Sequence, residues 1–188
     1  MNVKRWEMKQ TLTTGSCMLA ALLVMGATVA QASDPFEIVP HEMDVYGARY
    51  IDSGEYEKAV ERLKTRLGGP RQAHSLRAPV LIDLCVGYTM LKQFDEADQY
   101  CSEAVDVGWY RGLALNNRGV MKIAQGNYEA AIADFQAATE ASGAKAVSQR
   151  NLDRAQQSLA ARRAESDNRY AALDATIGMV SPTKANDQ

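Results

Sequence analysis

Few residues of this 188-residue chain are equipped for chemistry. There are two histidines, His41 and His74, and three cysteines, Cys17, Cys85 and Cys101. A structural or catalytic metal site calls for Cys or His ligands at short, paired spacings. Neither histidine has such a companion, so no metal site is expected. Cys85 and Cys101 are not in a Cys-x-x-Cys arrangement, which argues against a reactive redox pair. The chain has no phosphate loop, dinucleotide fingerprint or nucleophile elbow. Its acids are plentiful, but their helical spacing reads as solvated faces rather than paired catalytic carboxylates. No catalytic residue, metal or cofactor is therefore expected.

The elements that would position any site begin after an N-terminal leader. Lys4, Arg5 and Lys9 form a positive region, residues 17–30 are mostly apolar, and Ala30-Gln31-Ala32 supplies small residues where a signal peptidase reads. The apolar stretch is shorter than the ~20 residues of a spanning helix. The reading is a signal peptide over 1–32, cleaved after Ala32, with an uncleaved anchor as the alternative. Cys17 stands at the start of the apolar stretch instead of after it, which argues against a lipid-anchored form, and the leader has no Arg-Arg pair, which favours general export. Removing its three basic residues and one acid from totals of 21 and 23 leaves 18 and 22, a net charge of −4. Nothing in that balance suggests nucleic acid, and no block of like charge forms an interaction arm.

Apolar residues make up 46% of the chain and aromatics 7%, and β-branched runs bounded by turn residues are missing, so an all-α fold is expected. Three segments align. Gly54-Glu55-Tyr56-Glu57-Lys58-Ala59, Lys92-Gln93-Phe94-Asp95-Glu96-Ala97 and Gly126-Asn127-Tyr128-Glu129-Ala130-Ala131 each read as a turn, an aromatic, acids and an alanine. Helix-like stretches over about 40–53, 79–91 and 110–125 precede these turns. Further amphipathic stretches follow them, ending near Leu67, Val107 and Ala141. Periodicity near 3.6 on both sides of a short turn means paired antiparallel helices.

These residues resemble the 34-residue tetratricopeptide repeat (TPR). Gly47, Tyr50, Gly54, Ala59 and Leu63 match the family's small, aromatic, turn-glycine, alanine and bulky positions, and Arg66 departs where a later alanine is usual. Cys85, Tyr88, Ala97, Cys101 and Ala104 match in the second repeat, with Lys92 in place of the turn glycine. Gly119, Gly126, Ala131, Phe135 and Ala138 match in the third, with Lys122 in place of the aromatic. The resemblance implies a right-handed α-solenoid. Its parts would be an N-terminal extension over 33–39, three repeats over 40–77, 78–111 and 112–143, a capping helix over 144–172 and a disordered tail over 173–188. The extra length between the first two repeats falls in the Gly- and Pro-containing loop 68–74. Small residues such as Gly119 and Ala131 are expected to face each other where the helices approach.

The resemblance also implies a peptide-binding groove on the first helix of each repeat. Carried over, it contains Asp44 and Ile51, then Ile82, Val86 and Met90, then Asn116, Val120 and Ile123, with Arg150 and Arg154 added by the capping helix. The groove would grade from acidic through apolar to basic. Two readings stay open: the apolar residues are exposed for a guest, or they pack against the chain's own segments. Likewise Arg150 and Arg154 either serve the groove or form a solvated face with Asp153. The same register sets Cys85 and Cys101 on facing helices as a candidate disulfide, with buried free thiols as the alternative. The expected function is a non-catalytic protein–protein interaction scaffold in the bacterial envelope, periplasmic or secreted, without stable membrane insertion once the leader is removed. Its partner would be another envelope protein or a peptide. Val86→Glu or Val120→Glu is expected to abolish capture without unfolding the protein. The alternatives are a self-associating structural protein and an enzyme of unknown class.

Overall fold

Short polar turns joining amphipathic stretches produce helical hairpins here. The computed structural model describes residues 35–42, 47–69, 74–141 and 143–178. The leader, Asp44, residues 70–73 and the last ten residues lie outside the described residues. The described helices are α1 (Ala48–Ser53), α2 (Tyr56–Leu67), α3 (His74–Met90), α4 (Phe94–Val107), α5 (Arg111–Ala124), α6 (Tyr128–Glu140) and α7 (Lys145–Gly178). No strand occurs among the described residues, so the protein is all-α. Each helix packs on the next in sequence. In addition α1 touches α3, α3 touches α5 and α5 touches α7, whereas α2, α4 and α6 contact only their sequence neighbours. The odd-numbered helices thus form one continuous wall. No helix among the described residues is long and apolar enough to cross a membrane.

Each hairpin turns through one left-handed residue: Gly54 (φ 80°), Lys92 (φ 58°) and Gly126 (φ 81°). Their N–H groups donate to the carbonyls of Ile51, Thr89 and Ile123, and the next N–H in each case donates to Tyr50, Tyr88 and Lys122. This pair of bonds satisfies the last carbonyls of the first helix. Glycine takes the conformation freely, and Lys92 adopts it despite its Cβ. The acids after each turn, Glu57, Asp95 with Glu96, and Glu129, sit in the first turn of the second helix, where the helix dipole favours them.

The helices of each hairpin meet at equivalent joints. A Cβ on Gly47 would lie 2.7 Å from Leu63 Cγ, and one on Gly119 would lie 2.5 Å from Phe135 Cε1. At the middle joint Cys85 and Cys101 are joined by a disulfide, their Cα atoms 4.8 Å apart. A bridge closing a loop of this length contributes about 3 kcal/mol in the chain-entropy account. The atoms nearest a Cβ at Gly119 are those of Phe135, one turn beyond Ala131 on α6. The two lie on one helix face, as i and i+4 residues do, and both are fully buried.

Three expectations need adjustment. Residues 40–42 are not helical, and α1 begins at Ala48. α3 begins at His74 and carries Pro79 inside it. Proline there removes one helical hydrogen bond. Core packing of Leu76 and the ion pair of Arg77 with Glu103 (3.0 Å) hold the upstream turn. α7 runs to Gly178 rather than 172, helped by the Glu165–Arg169 pair at i,i+4. Lys122, where the repeat pattern has an aromatic, reaches Asp134 at 2.7 Å beside Arg118, also at 2.7 Å. A cross-helix charge cluster thus replaces apolar packing at that position.

Thermal melts check the joint and the turn in opposite directions. Gly119→Leu drives a branched side chain into the Phe135 ring and should lower stability by about 1–3 kcal/mol. Lys92→Gly relieves the left-handed strain and should raise it by about 1 kcal/mol.

Candidate functional site

Residues 35–41 run without helix along the wall of odd helices, and polar side chains of that wall hold their backbone. Asn151, on α7, accepts from the Glu37 N–H at 2.9 Å and donates to the Glu37 carbonyl at 2.9 Å. Asn117, on α5, accepts from the Val39 N–H at 3.0 Å and donates to its carbonyl at 2.7 Å. Asp83, on α3, accepts from the His41 N–H at 2.7 Å. Residues 83, 117 and 151 recur at the 34-residue spacing that separates Gly119 from Cys85. Their partners recur at the two-residue period of an extended chain, in which alternate residues face the same way.

Two further polar side chains of the wall, Asn116 and Ser148, are linked to these. Asn116 donates to the Glu37 carbonyl at 3.1 Å and accepts from Asn151 at 3.0 Å and from the Ser148 hydroxyl at 3.4 Å. Asn116, Asn117, Asn151, Ser148 and Asp83 are all fully buried. Buried amides without partners would be destabilising, so the extended segment completes this network.

The side chains of the segment are held differently. Arg150 makes a bidentate pair with Glu37 at 2.9 and 2.8 Å. Arg154 reaches Glu37 at 3.2 Å and the Pro35 carbonyl at 3.1 Å. Hydrogen bonding from Arg150 is the main cause that holds the Glu37 carboxyl below its usual range, against an opposing effect of burial. Phe36 stacks on Phe135 with ring centroids 6.3 Å apart, and Ile38 is buried in the core. Val39 packs against a second cluster containing Leu81, Ile82 and Leu113. The His41 ring meets Tyr110 edge-on at 4.3 Å.

The proposed groove residues can now be placed. Ile51, Ile82, Val86, Asn116, Val120 and Ile123 are buried, Met90 is half-buried, and Asp44 lies outside the described residues. Asn116 bonds the Glu37 carbonyl of segment 35–41, Phe36 and Ile38 of that segment belong to the same core cluster as Ile51, Val86, Val120 and Ile123, and Val39 packs against the cluster that holds Ile82. Arg150 and Arg154 face that segment and pair with Glu37. Val86→Glu or Val120→Glu would not spare the fold, because both side chains sit in the main core cluster and a charge there would be stranded. Sequence reasoning missed Asp83, Asn117, Asn151 and Glu37. The 34-residue recurrence of 83, 117 and 151 was the available signal.

Among the described residues no cluster of three His, Cys, Asp or Glu side chains could hold a metal ion. One titratable group stands out. Burial pushes the Asp83 carboxyl well above its usual range; nearby Asp52 adds to the effect and the His41 N–H opposes it. Asp83 Oδ2 has no hydrogen-bond partner among the described residues. A neutral carboxyl at this site therefore resembles the amides at 117 and 151.

The two acids give opposite pH dependences. Glu37, with its lowered folded value, stabilises the fold above its ordinary value, and that contribution is lost as pH falls through the folded one. Asp83, with its raised value, contributes fully below its ordinary value and progressively less as pH rises toward the folded one. Asp83→Asn keeps the acceptor for His41 and cannot ionise. It should raise the melting temperature near pH 7 and lose most of that advantage by about pH 3.5, where Asp83 is protonated in both states. Melting curves of both proteins across this range check it. No protein-family model matches this chain, and no curated protein matches it in sequence.

Proposed function

We propose that this protein is a non-catalytic binding scaffold of the bacterial cell envelope. In this reading the three hairpins are TPR-like repeats in a right-handed superhelix closed by α7. The wall of odd helices is the surface that holds an extended segment of another envelope protein. The observation that carries the reading is the ladder of Asp83, Asn117 and Asn151 on residues 41, 39 and 37. A wall serving only as core would be apolar. This one presents hydrogen-bonding side chains at the repeat period, matched to an extended backbone. The sequence features of an export leader support an envelope location. So does the Cys85–Cys101 bridge, since disulfides persist in oxidising compartments.

A second reading, self-association, has one observation in its favour. α7 is about 51 Å long by its rise per residue, and residues 160–174 are all exposed. Tyr170 and Leu173 on that stretch are exposed at 70% and 59%. Sedimentation velocity separates this reading from a monomeric scaffold: a dimer that Tyr170→Glu with Leu173→Glu dissociates would favour self-association.

The scaffold reading is tested in cells by a photo-crosslinking residue in place of half-buried Met90. The expected adduct joins Met90's position to a single second polypeptide, mapped to one short stretch of it. Adducts confined to the protein's own chain would sink the reading.

A further inference from the structure

The wall reads its occupant in two ways. Hydrogen bonds to the backbone of residues 37, 39 and 41 are indifferent to side-chain identity, so any extended chain can make them. Identity is read along the short run 36–39. Phe36 stacks on Phe135, Glu37 is clamped by Arg150 and Arg154, and Ile38 and Val39 enter the apolar clusters on either side.

We propose that residues 35–41 are a tethered ligand, which a partner segment of the same chemistry displaces: an extended run of aromatic, glutamate and two aliphatic residues. This rests on the reading of the wall as a binding surface. Three features favour exchange over a permanently sealed core. The wall's amides and hydroxyl can hydrogen-bond to water when the segment lifts, so the empty wall lacks the penalty of stranded polar groups. The segment precedes α1 and is contacted by residues 42 to 119 positions away in sequence, so it can leave without unwinding a helix. Its acid faces two guanidinium groups, and charge pairing of this kind gives a partner both direction and selectivity.

A tethered competitor acts at high effective concentration and lowers the apparent affinity for any partner by the fraction of molecules that are open. Weakening the tethered copy should therefore strengthen binding in trans. Glu37→Arg places a cation against Arg150 and Arg154. The probe is a fluorescein-labelled peptide with the sequence of residues 34–42, followed by anisotropy. Amide exchange at positions 37, 39 and 41 reports whether the segment is docked.

In E37R the protection of those amides should fall, and the peptide should bind at least about tenfold more tightly than to the wild-type protein. A peptide carrying arginine at the position of Glu37 should bind neither protein. If E37R fails to fold by circular dichroism, Glu37→Gln replaces it, with a smaller gain expected and the same order of affinities. Loss of protection without peptide binding would overturn the proposal, because the segment would then be a fixed part of the core. Retained protection in the variant, or equal binding to wild type and variant, would overturn it as well. Peptide binding by E37R with only intrachain adducts at position 90 in cells would sustain exchange and sink the scaffold reading. A partner adduct without peptide binding would do the reverse.

Discussion

Polar side chains cannot be buried without partners, and much of this molecule follows from that. Asn116, Asn117 and Asn151 lie fully inside, on helices whose neighbours are apolar. Helix backbones are already hydrogen-bonded internally and offer these amides little. An extended chain has its N–H and carbonyl groups unspent, and a carboxamide matches one residue of it with one donor and one acceptor. The segment before α1 supplies these groups at Glu37 and Val39, and in return its own backbone is satisfied although it belongs to no sheet. One set of contacts meets both requirements.

That match depends on the hairpins repeating accurately. Gly47 against Leu63, Cys85 against Cys101 and Gly119 against Phe135 bring the two helices of each hairpin together at equivalent positions. The left-handed residues 54, 92 and 126 end the first helix of each in the same way. With joint and turn repeated, residues 83, 117 and 151 fall at equivalent places on successive helices of the wall. α7, the last of the described helices, shares in this. Its Asn151 completes the ladder, and its Arg150 and Arg154 add ion pairs with Glu37 at the last rung.

The charged groups differ in role. Arg118 and Lys122 tie α5 to α6 through Asp134, away from the extended segment. Glu37 and its two arginines fasten the segment itself. Asp83 is the exception, a buried carboxyl with one oxygen bonded to His41 and the other without a hydrogen-bond partner among the described residues. Where the other rungs have amides, it offers a group whose protonation decides whether the environment suits it.

Helical hairpins were legible in the residues alone, because periodicity, turn residues and small-residue spacing are local, and each constrains only a few neighbours. The ends of α2, α4 and α6 were legible for the same reason, and the departures at Lys92 and Lys122 were visible though not their consequences. The covering of the wall was not legible. It arises from contacts across 42 to 119 positions, between a segment with no periodic signal and side chains whose burial a helical pattern does not reveal. A family-based position could mark Arg150 and Arg154 as wall residues, but their partner Glu37 lay in a stretch read as a mere extension. Local chemistry determined the helices and turns. Only the packed wall, where buried amides had to find an unpaired backbone, decided what lies against it.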